Sequence, residues 1–319
     1  MIEVKNLTKK YGDNTVLEDI TLSFESGGVH GILGPKGAGK STLADIISGC
    51  LLSSEGSALI DGKDSFYDIE AKRKISYLPE LPPLYPNMTV YEYLVFVGEA
   101  KTVDYDKLYR NVNSVMELTG TVDIKKTLIK NLSKGDKKRV GIAQTMLGNP
   151  DVIILDEPFA YLSAEQTLEI CDMIKKLGEI KTVVISTQRL SDVLALCCSD
   201  VAILSGGKLL VQDTIENLEK NLGRAESILL SVRGSEEAVI SALKKVEGAK
   251  ACIVLAKGAD TLSLKIEYDG GVDIRDELFA VLSEAKCPIL SMSVEKVTLS
   301  DVYMKLVGAA NKEREEEGK

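Results

Sequence analysis

The chain of 319 residues predicts an α/β domain with a parallel core sheet, an antiparallel β portion and a helical subdomain, followed by a smaller α+β domain of ferredoxin-like type. Three observations carry that prediction. A glycine-rich loop sits between an apolar run and a helix-patterned segment. Two further runs, Val152-Ile153-Ile154-Leu155 and Val183-Val184-Ile185, are apolar throughout, as strands buried on both faces must be. The last hundred residues alternate strand and helix patterns in the order βαββαβ.

The glycine loop comes first in the argument. Gly34-Pro35-Lys36-Gly37-Ala38-Gly39-Lys40-Ser41 matches G-x-x-x-x-G-K-[ST], preceded by the run Val29–Leu33 and followed by the helical pattern Thr42–Ile47. Glycines let successive backbone N–H groups converge on phosphate oxygens at a helix N-terminus, whose dipole favours anions. The expected guest is a nucleoside triphosphate. Lys40 is positioned for the β- and γ-phosphates, the Ser41 hydroxyl for Mg²⁺, and Thr42 for the first turn of the helix beside them.

A phosphate site of this kind needs a second element for the metal and the attacking water. Asp151–Pro158 supplies it: four apolar residues end in Asp156 and Glu157, placing Asp156 at the metal and Glu157 as general base. Val183–Thr187 reads as another core strand, and Gln188 follows it. Leu204–Val211 reads as a closing hairpin, and Thr214–Leu222 as a helix leading to a boundary at Asn221-Leu222-Gly223.

Beyond the boundary the pattern gives strand 227–232, helix 235–246, strand 250–256, strand 261–267, helix 272–285 and strand 289–295. Turns fall at Gly258-Ala259-Asp260 and Asp269-Gly270-Gly271, and a final helix covers 299–306. This gives domains at 1–222, with a helical subdomain at about 81–147, and 223–308, then an acidic, frayed tail at 309–319. The second domain contains no catalytic constellation. Ligand sensing, dimer support and structural capping are open for it.

Composition narrows the class. The formal net charge of −9 argues against nucleic acid as a partner, because phosphate-backbone binding needs clustered cations. Six cysteines lie scattered without a C-x-x-C pair and read as reduced thiols. The single histidine, His30, lies inside a predicted buried strand and reads as a core residue, not a zinc ligand. No apolar stretch is long enough to span a bilayer, and Met1-Ile2-Glu3-Val4 begins no signal peptide, so a cytoplasmic chain is expected.

Between the two nucleotide elements lies Leu132-Ser133-Lys134-Gly135-Asp136, with Ser133 as an N-cap before a helix. Over roughly residues 1–215 this order of motifs resembles the ATP-binding-cassette (ABC) ATPases, whose signature usually reads Leu-Ser-Gly-Gly-Gln. The Leu-Ser-Lys-Gly form is similar to that of ATPase subunits of ABC-2-type exporters. The resemblance implies ATP and Mg²⁺ as cofactors and a dimer, homo- or heteromeric, in which Ser133 and Gly135 contact the γ-phosphate held by the partner. It also implies separate membrane-spanning permease subunits, with this chain peripheral at the inner face of the membrane. Tyr11 falls where the family stacks an aromatic on adenine. Glu80 stands at the Q-loop glutamine position as a further Mg²⁺ ligand. Tyr91, Tyr93 and Phe96 either meet the permease or pack the helical subdomain.

Departures from the pattern matter as much. After Glu157-Pro158 the family usually has Gly-Leu-Asp; here Phe159-Ala160-Tyr161-Leu162-Ser163 puts Ser163 at the aspartate. Gln188 stands where the switch histidine is usual, Glu80 replaces the glutamine, and Lys36 adds a cation at the loop rim. A neutral amide stabilises developing phosphate charge less than a charged donor does. The expectation is an ATPase that binds MgATP well and hydrolyses it slowly, or a regulatory partner in an asymmetric dimer. A cassette protein acting on DNA or ribosomes is the third class, disfavoured by acidic charge and the absence of basic arms.

Overall fold

A computed structural model describes all residues except 189–191, 223–224, 259, 270–272, 296–297 and 318–319. The chain divides into two compact units: Met1–Ile215 with Ala309–Lys319, and Glu216–Gly308. The junction at Ile215/Glu216 falls in the first turn of the helix 215–222, ahead of the boundary that the sequence pattern gives at 221–223.

The first unit runs β1 (Ile2–Tyr11), β2 (Asn14–Phe24), β3 (Val29–Leu33), α1 (Lys40–Ile47), β4 (Glu55–Ile60), β5 (Lys63–Asp64), α2 (Ile69–Lys74) and β6 (Ile75–Leu78). Then come α3 (Val90–Ala100), α4 (Tyr105–Leu118), a 3₁₀ turn (Ile129–Asn131), α5 (Lys134–Met146), β7 (Val152–Asp156), α6 (Ala164–Gly178), β8 (Thr182–Thr187), α7 (Asp192–Cys197), β9 (Asp200–Ser205) and β10 (Lys208–Thr214). One sheet has the order β2-β1-β4-β5 and is antiparallel; the other has the order β10-β9-β3-β8-β7-β6. Within the second, β3, β6, β7, β8 and β9 pair parallel, and the β9–β10 hairpin closes the edge.

The strands that position the site are buried on both faces: every residue of β3, β7 and β8 is inaccessible. Helix α1 lies between the two sheets. Its Leu43 and Ile47 share one core with Ile2, Leu7 and Phe24 of the antiparallel sheet and Ile32, Ile154 and Val184 of the parallel one. Each such buried side chain contributes about 1.5–3 kcal/mol, so the glycine loop is anchored from behind by a core that both sheets share.

Helix starts follow their caps. Thr89 and Glu92 form a capping box for α3, Ser163 and Gln166 one for α6, and the Ser133 hydroxyl accepts from the N–H of Asp136 at the head of α5. Tyr93 belongs to the packing of the helical subdomain: it is buried, with its hydroxyl donating to Gln144 Oε1 and lying 3.3 Å from Pro83 O. Phe96 stays partly exposed beside the Tyr85 ring.

The second unit contains α8 (Ile215–Leu222), β11 (Ala225–Arg233), α9 (Glu236–Leu243), β12 (Ala249–Lys257), β13 (Thr261–Asp269), α10 (Arg275–Glu284) and β14 (Ile289–Glu295). Its sheet order is β12-β13-β11-β14, antiparallel at each pairing, the ferredoxin-like arrangement that the βαββαβ order implies. Val239 and Leu243 of α9 and Leu278 and Leu282 of α10 pack on Ile228, Leu230, Leu264 and Ile266. The start of helix 272–285 and the Gly270-Gly271 turn lie outside the described residues, as do Gly223 and Ala259. The final helix, α11 (Leu299–Glu317), continues past Leu306 through most of the segment expected to be a frayed tail. The apolar positions Leu299, Val302, Tyr303 and Val307 recur on one buried stripe. Among the described residues no helix is long and apolar enough to cross a membrane.

Candidate functional site

The loop after β3 folds as its glycines dictate. Gly37 and Gly39 take φ of +82° and +93°, conformations that L side chains rarely adopt. A Cβ on Gly39 would stand 2.5 Å from Leu17 Cδ2 and 2.9 Å from Val16 O, so the loop cannot close onto β2 with any other residue there. Gly39 hands over directly to α1, whose first residue is Lys40.

A cavity of about 580 Å³ opens in front of this loop. Its lining includes Lys36, Gly37, Gly39, Lys40, Ser41 and Thr42 from the loop, together with Val16, Glu80, Leu81, Glu157, Tyr161 and Gln188. Most sequence-predicted residues therefore meet around one space. Gly34 and Pro35 contribute backbone carbonyls, which accept from Lys40 Nζ at 2.9 and 3.1 Å, while Ala38 is packed into the core. Tyr11 ends β1, half exposed with Lys9 Nζ over its ring, and is not part of the cavity lining.

Lys40 and Glu157 are each only 6% exposed, and Lys40 Nζ stands 4.0 Å from Glu157 Oε1. Burial pulls the Lys40 ammonium below its ordinary value, against the attraction of Glu157, Asp156 and Glu80. Burial likewise pushes the Glu157 carboxyl up, against a hydrogen bond from Thr187, the Lys40 charge and the N–H of Gln188. A buried cation whose hydrogen bonds run to backbone carbonyls suits an incoming phosphate, which would supply an anionic acceptor. A carboxylate with a raised pKa, in the same space, suits a general base.

Glu157 is held from several sides. It follows β7 with φ of +46°, a left-handed conformation costing about 1 kcal/mol for a residue with a side chain. Its N–H donates to Ser186 O at 2.9 Å, Thr187 Oγ1 donates to Oε2 at 3.0 Å, and Gln188 N–H donates to Oε1 at 2.8 Å. Asp156, one residue earlier, is buried and accepts from Ser186 Oγ. Glu80 Oε1 accepts from Tyr161 OH at 3.4 Å. The register of β7 on β8, with Asp156 opposite Ser186, is what brings the two strand ends together.

Ser41 and Glu80 line the cavity, and Asp156, outside the lining, directly precedes Glu157; oxygen donors of this kind would suit a hard divalent cation, which Mg²⁺-dependent sites hold with one or two protein oxygens plus substrate phosphates. Bound there, Mg²⁺ would neutralise charge on the phosphates. Ser133 and Gly135 stand apart from the cavity lining at the head of α5. A Cβ on Gly135 would meet Gln166 Nε2 at 2.7 Å, so any larger residue there would displace the Gln166 side chain. Sequence reasoning missed Lys138, Thr187 and Ser186. No pattern marks them: a lysine inside a basic helix and hydroxyls ending a core strand are recognisable only once the strand ends meet.

Comparison with known proteins agrees with this geometry. The ABC transporter family model matches residues 17–160. The linearmycin resistance ATP-binding protein LnrL of Bacillus subtilis is 28% identical over 97% of this chain and 98% of LnrL. The lantibiotic transport ATP-binding protein SrtF of Streptococcus pyogenes is 32% identical over 69% of this chain and 95% of SrtF. A dimeric, post-hydrolysis ATP-binding cassette bound to ADP and Pi superposes with a TM-score of 0.60 at 26% identity, covering 67% of this chain and 98% of that one. With a glycine loop, a buried lysine and a strand-end glutamate around one cavity, and relatives matched across nearly their whole length, the chain belongs to the ATP-binding subunits of ABC transporters, which are ATPases.

Proposed function

We propose that this chain energises export by closing, with MgATP between them, against a second cassette subunit, and that it does so with slow hydrolysis. The observation that carries the reading is the buried Lys40–Glu157 pair facing the glycine-walled cavity beside Gln188. In this reading Lys40 and the loop N–H groups hold the triphosphate, and Glu157 takes the proton of the attacking water. Ser41, Glu80 and Asp156 hold Mg²⁺. Gln188 presents a neutral donor where a charged one would stabilise the transition state more strongly. Ser133 and Gly135, outside the chain's own cavity, are left for the partner's γ-phosphate at a helix N-terminus. Tyr11 serves the adenine.

Export, and permease subunits as separate polypeptides at the inner face of the cell membrane, are proposed from the linearmycin resistance role of LnrL, the lantibiotic transport role of SrtF and the Leu-Ser-Lys-Gly signature. Steady-state ATPase of the purified chain tests the catalytic half. Slow turnover that Glu157→Gln abolishes, with ATP binding retained, is expected; turnover indifferent to Glu157→Gln overturns the assignment of the base. A second reading, a regulatory partner in a heterodimer with a better-equipped subunit, is favoured by Ser163. Its hydroxyl accepts from Gln166 N at 3.3 Å as a helix cap instead of offering a carboxylate across an interface. Single-turnover hydrolysis near the uncatalysed rate selects that reading.

A further inference from the structure

Helix α5 carries a second buried cation that the nucleotide chemistry described above does not use. Lys138 is 5% exposed, and its Nζ donates to Glu80 O at 2.8 Å and to Glu157 O at 3.0 Å. Glu80 and Glu157 belong to different loops, one after β6 and one after β7, and both line the nucleotide cavity. The ammonium therefore joins the backbones of two site loops to the helix whose head is Ser133.

The bond to Glu157 falls on a residue that needs it. Glu157 holds φ of +46°, and its carbonyl also accepts from Ala160 N–H at 3.1 Å. A left-handed, non-glycine residue persists only where its surroundings over-determine it. Lys138 fixes the peptide from the carbonyl side, while Thr187 and Gln188 fix the carboxylate. On the Glu80 side, the same ammonium holds the backbone of the residue whose carboxylate accepts from Tyr161.

We propose that Lys138 is a positioning residue for ATP hydrolysis: by bridging the carbonyls of Glu80 and Glu157, its cation holds the general base and the facing carboxylate in working register. This rests on the ATPase activity of the chain and on no particular dimer partner. The groups acting on the Glu157 carboxylate are Lys40 of α1 and Asp156 of β7, with Thr187 of β8 and the N–H of the following Gln188 as neutral donors, while Lys138 of α5 meets the Glu157 carbonyl.

Two substitutions in the full chain separate roles. Lys138→Met deletes both bonds and the charge; Lys138→Gln offers two N–H donors without the charge. Expected is a kcat loss of about tenfold or more in Lys138→Met with KM for ATP within about threefold, and a smaller loss in Lys138→Gln. Equal losses in the two variants, a KM that rises in step with the fall in kcat, or unchanged kcat in Lys138→Met overturn the proposal. If Lys138→Met does not fold, Lys138→Gln decides: a kcat loss of about twofold or more with KM within about threefold supports the bridge, and unchanged kcat overturns it. If the native chain shows no turnover, the ATPase reading fails, and the proposal then stands or falls on the backbone carbonyl ¹³C shifts of Glu80 and Glu157, which must move in Lys138→Gln.

Discussion

The backbone N–H of Gln188 donates to Glu157 Oε1 at 2.8 Å. Because that bond is made by the main chain, it survives any side chain at position 188 that keeps the end of β8 intact. The Glu157 carboxylate is held whether or not residue 188 can stabilise charge, which separates holding the proposed base from assisting the transition state.

Gln188→His is therefore expected to raise ATP turnover by about three- to tenfold without changing ATP affinity, since an imidazolium donor bonds phosphate about twice as strongly as an amide. Steady-state phosphate release beside calorimetric ATP binding checks it. An unchanged or lower rate removes Gln188 as the cause of the proposed slow hydrolysis.

Thr187→Val should act on the acid side of the pH profile. The Thr187 hydroxyl donates to Glu157 Oε2, favouring the ionised form, while burial already raises the carboxyl above its ordinary value. A base works deprotonated, so activity falls as pH falls through its pKa, and losing a donor raises that pKa. Turnover should drop roughly threefold or more at pH 6 and less at pH 8. An equal loss at both values contradicts it.

The His30–Asp200 pair makes stability depend on pH. His30 Nδ1 lies 2.5 Å from Asp200 Oδ1, and Nε2 faces Gly27 O at 2.9 Å and Glu25 O at 3.0 Å, so acceptors surround both nitrogens and the imidazolium satisfies them. Burial alone would lower the His30 pKa, but Asp200 and the two carbonyls outweigh it and the net direction is up. The sign follows: the contribution is complete below about pH 6.5, the unfolded value, and is lost as pH rises through the raised native one. Asp200→Asn should cost about 2 kcal/mol at pH 6, with the penalty shrinking toward pH 9. Urea melts across that range decide it; a penalty independent of pH is the contrary result.

Lys101 closes the C-terminal end of α5. Its Nζ donates to Gln144 O at 2.8 Å, Leu147 O at 3.1 Å and Ser76 Oγ at 2.9 Å, and burial brings its pKa down to about 8. Lys101→Met strips these acceptors of a buried partner. The expected loss is about 2–3 kcal/mol in urea unfolding, with ATP affinity preserved. A loss under half of that would mean water replaces the ammonium.

Much of the fold was legible because the chain states it locally. Val152–Leu155 and Val183–Ile185 are apolar throughout and became central parallel strands, and Ser133 caps the helix it precedes. Boundaries were legible less well where the cause is remote. Helix α11 continues to Glu317 although its last residues read as a charged tail. Nor did helical spacing alone settle Tyr93, which turns inward to Gln144 while Phe96 stays partly exposed.

The sequence by itself determined the chemistry on offer: a glycine loop from Gly34 to Ser41, carboxylates at Asp156 and Glu157, a glutamine at 188 and a serine at 163. These follow from residue type and spacing, since a phosphate loop needs adjacent glycines and a lysine within one turn. The tertiary structure decided how those groups are held. The 4.0 Å approach of Lys40 to Glu157, the grip of Thr187 and Gln188 on the carboxylate, and the Lys138 bridge all join residues far apart along the chain. They exist because parallel strands end side by side, and the register that aligns those ends is set by the packing of whole buried faces and by no local pattern.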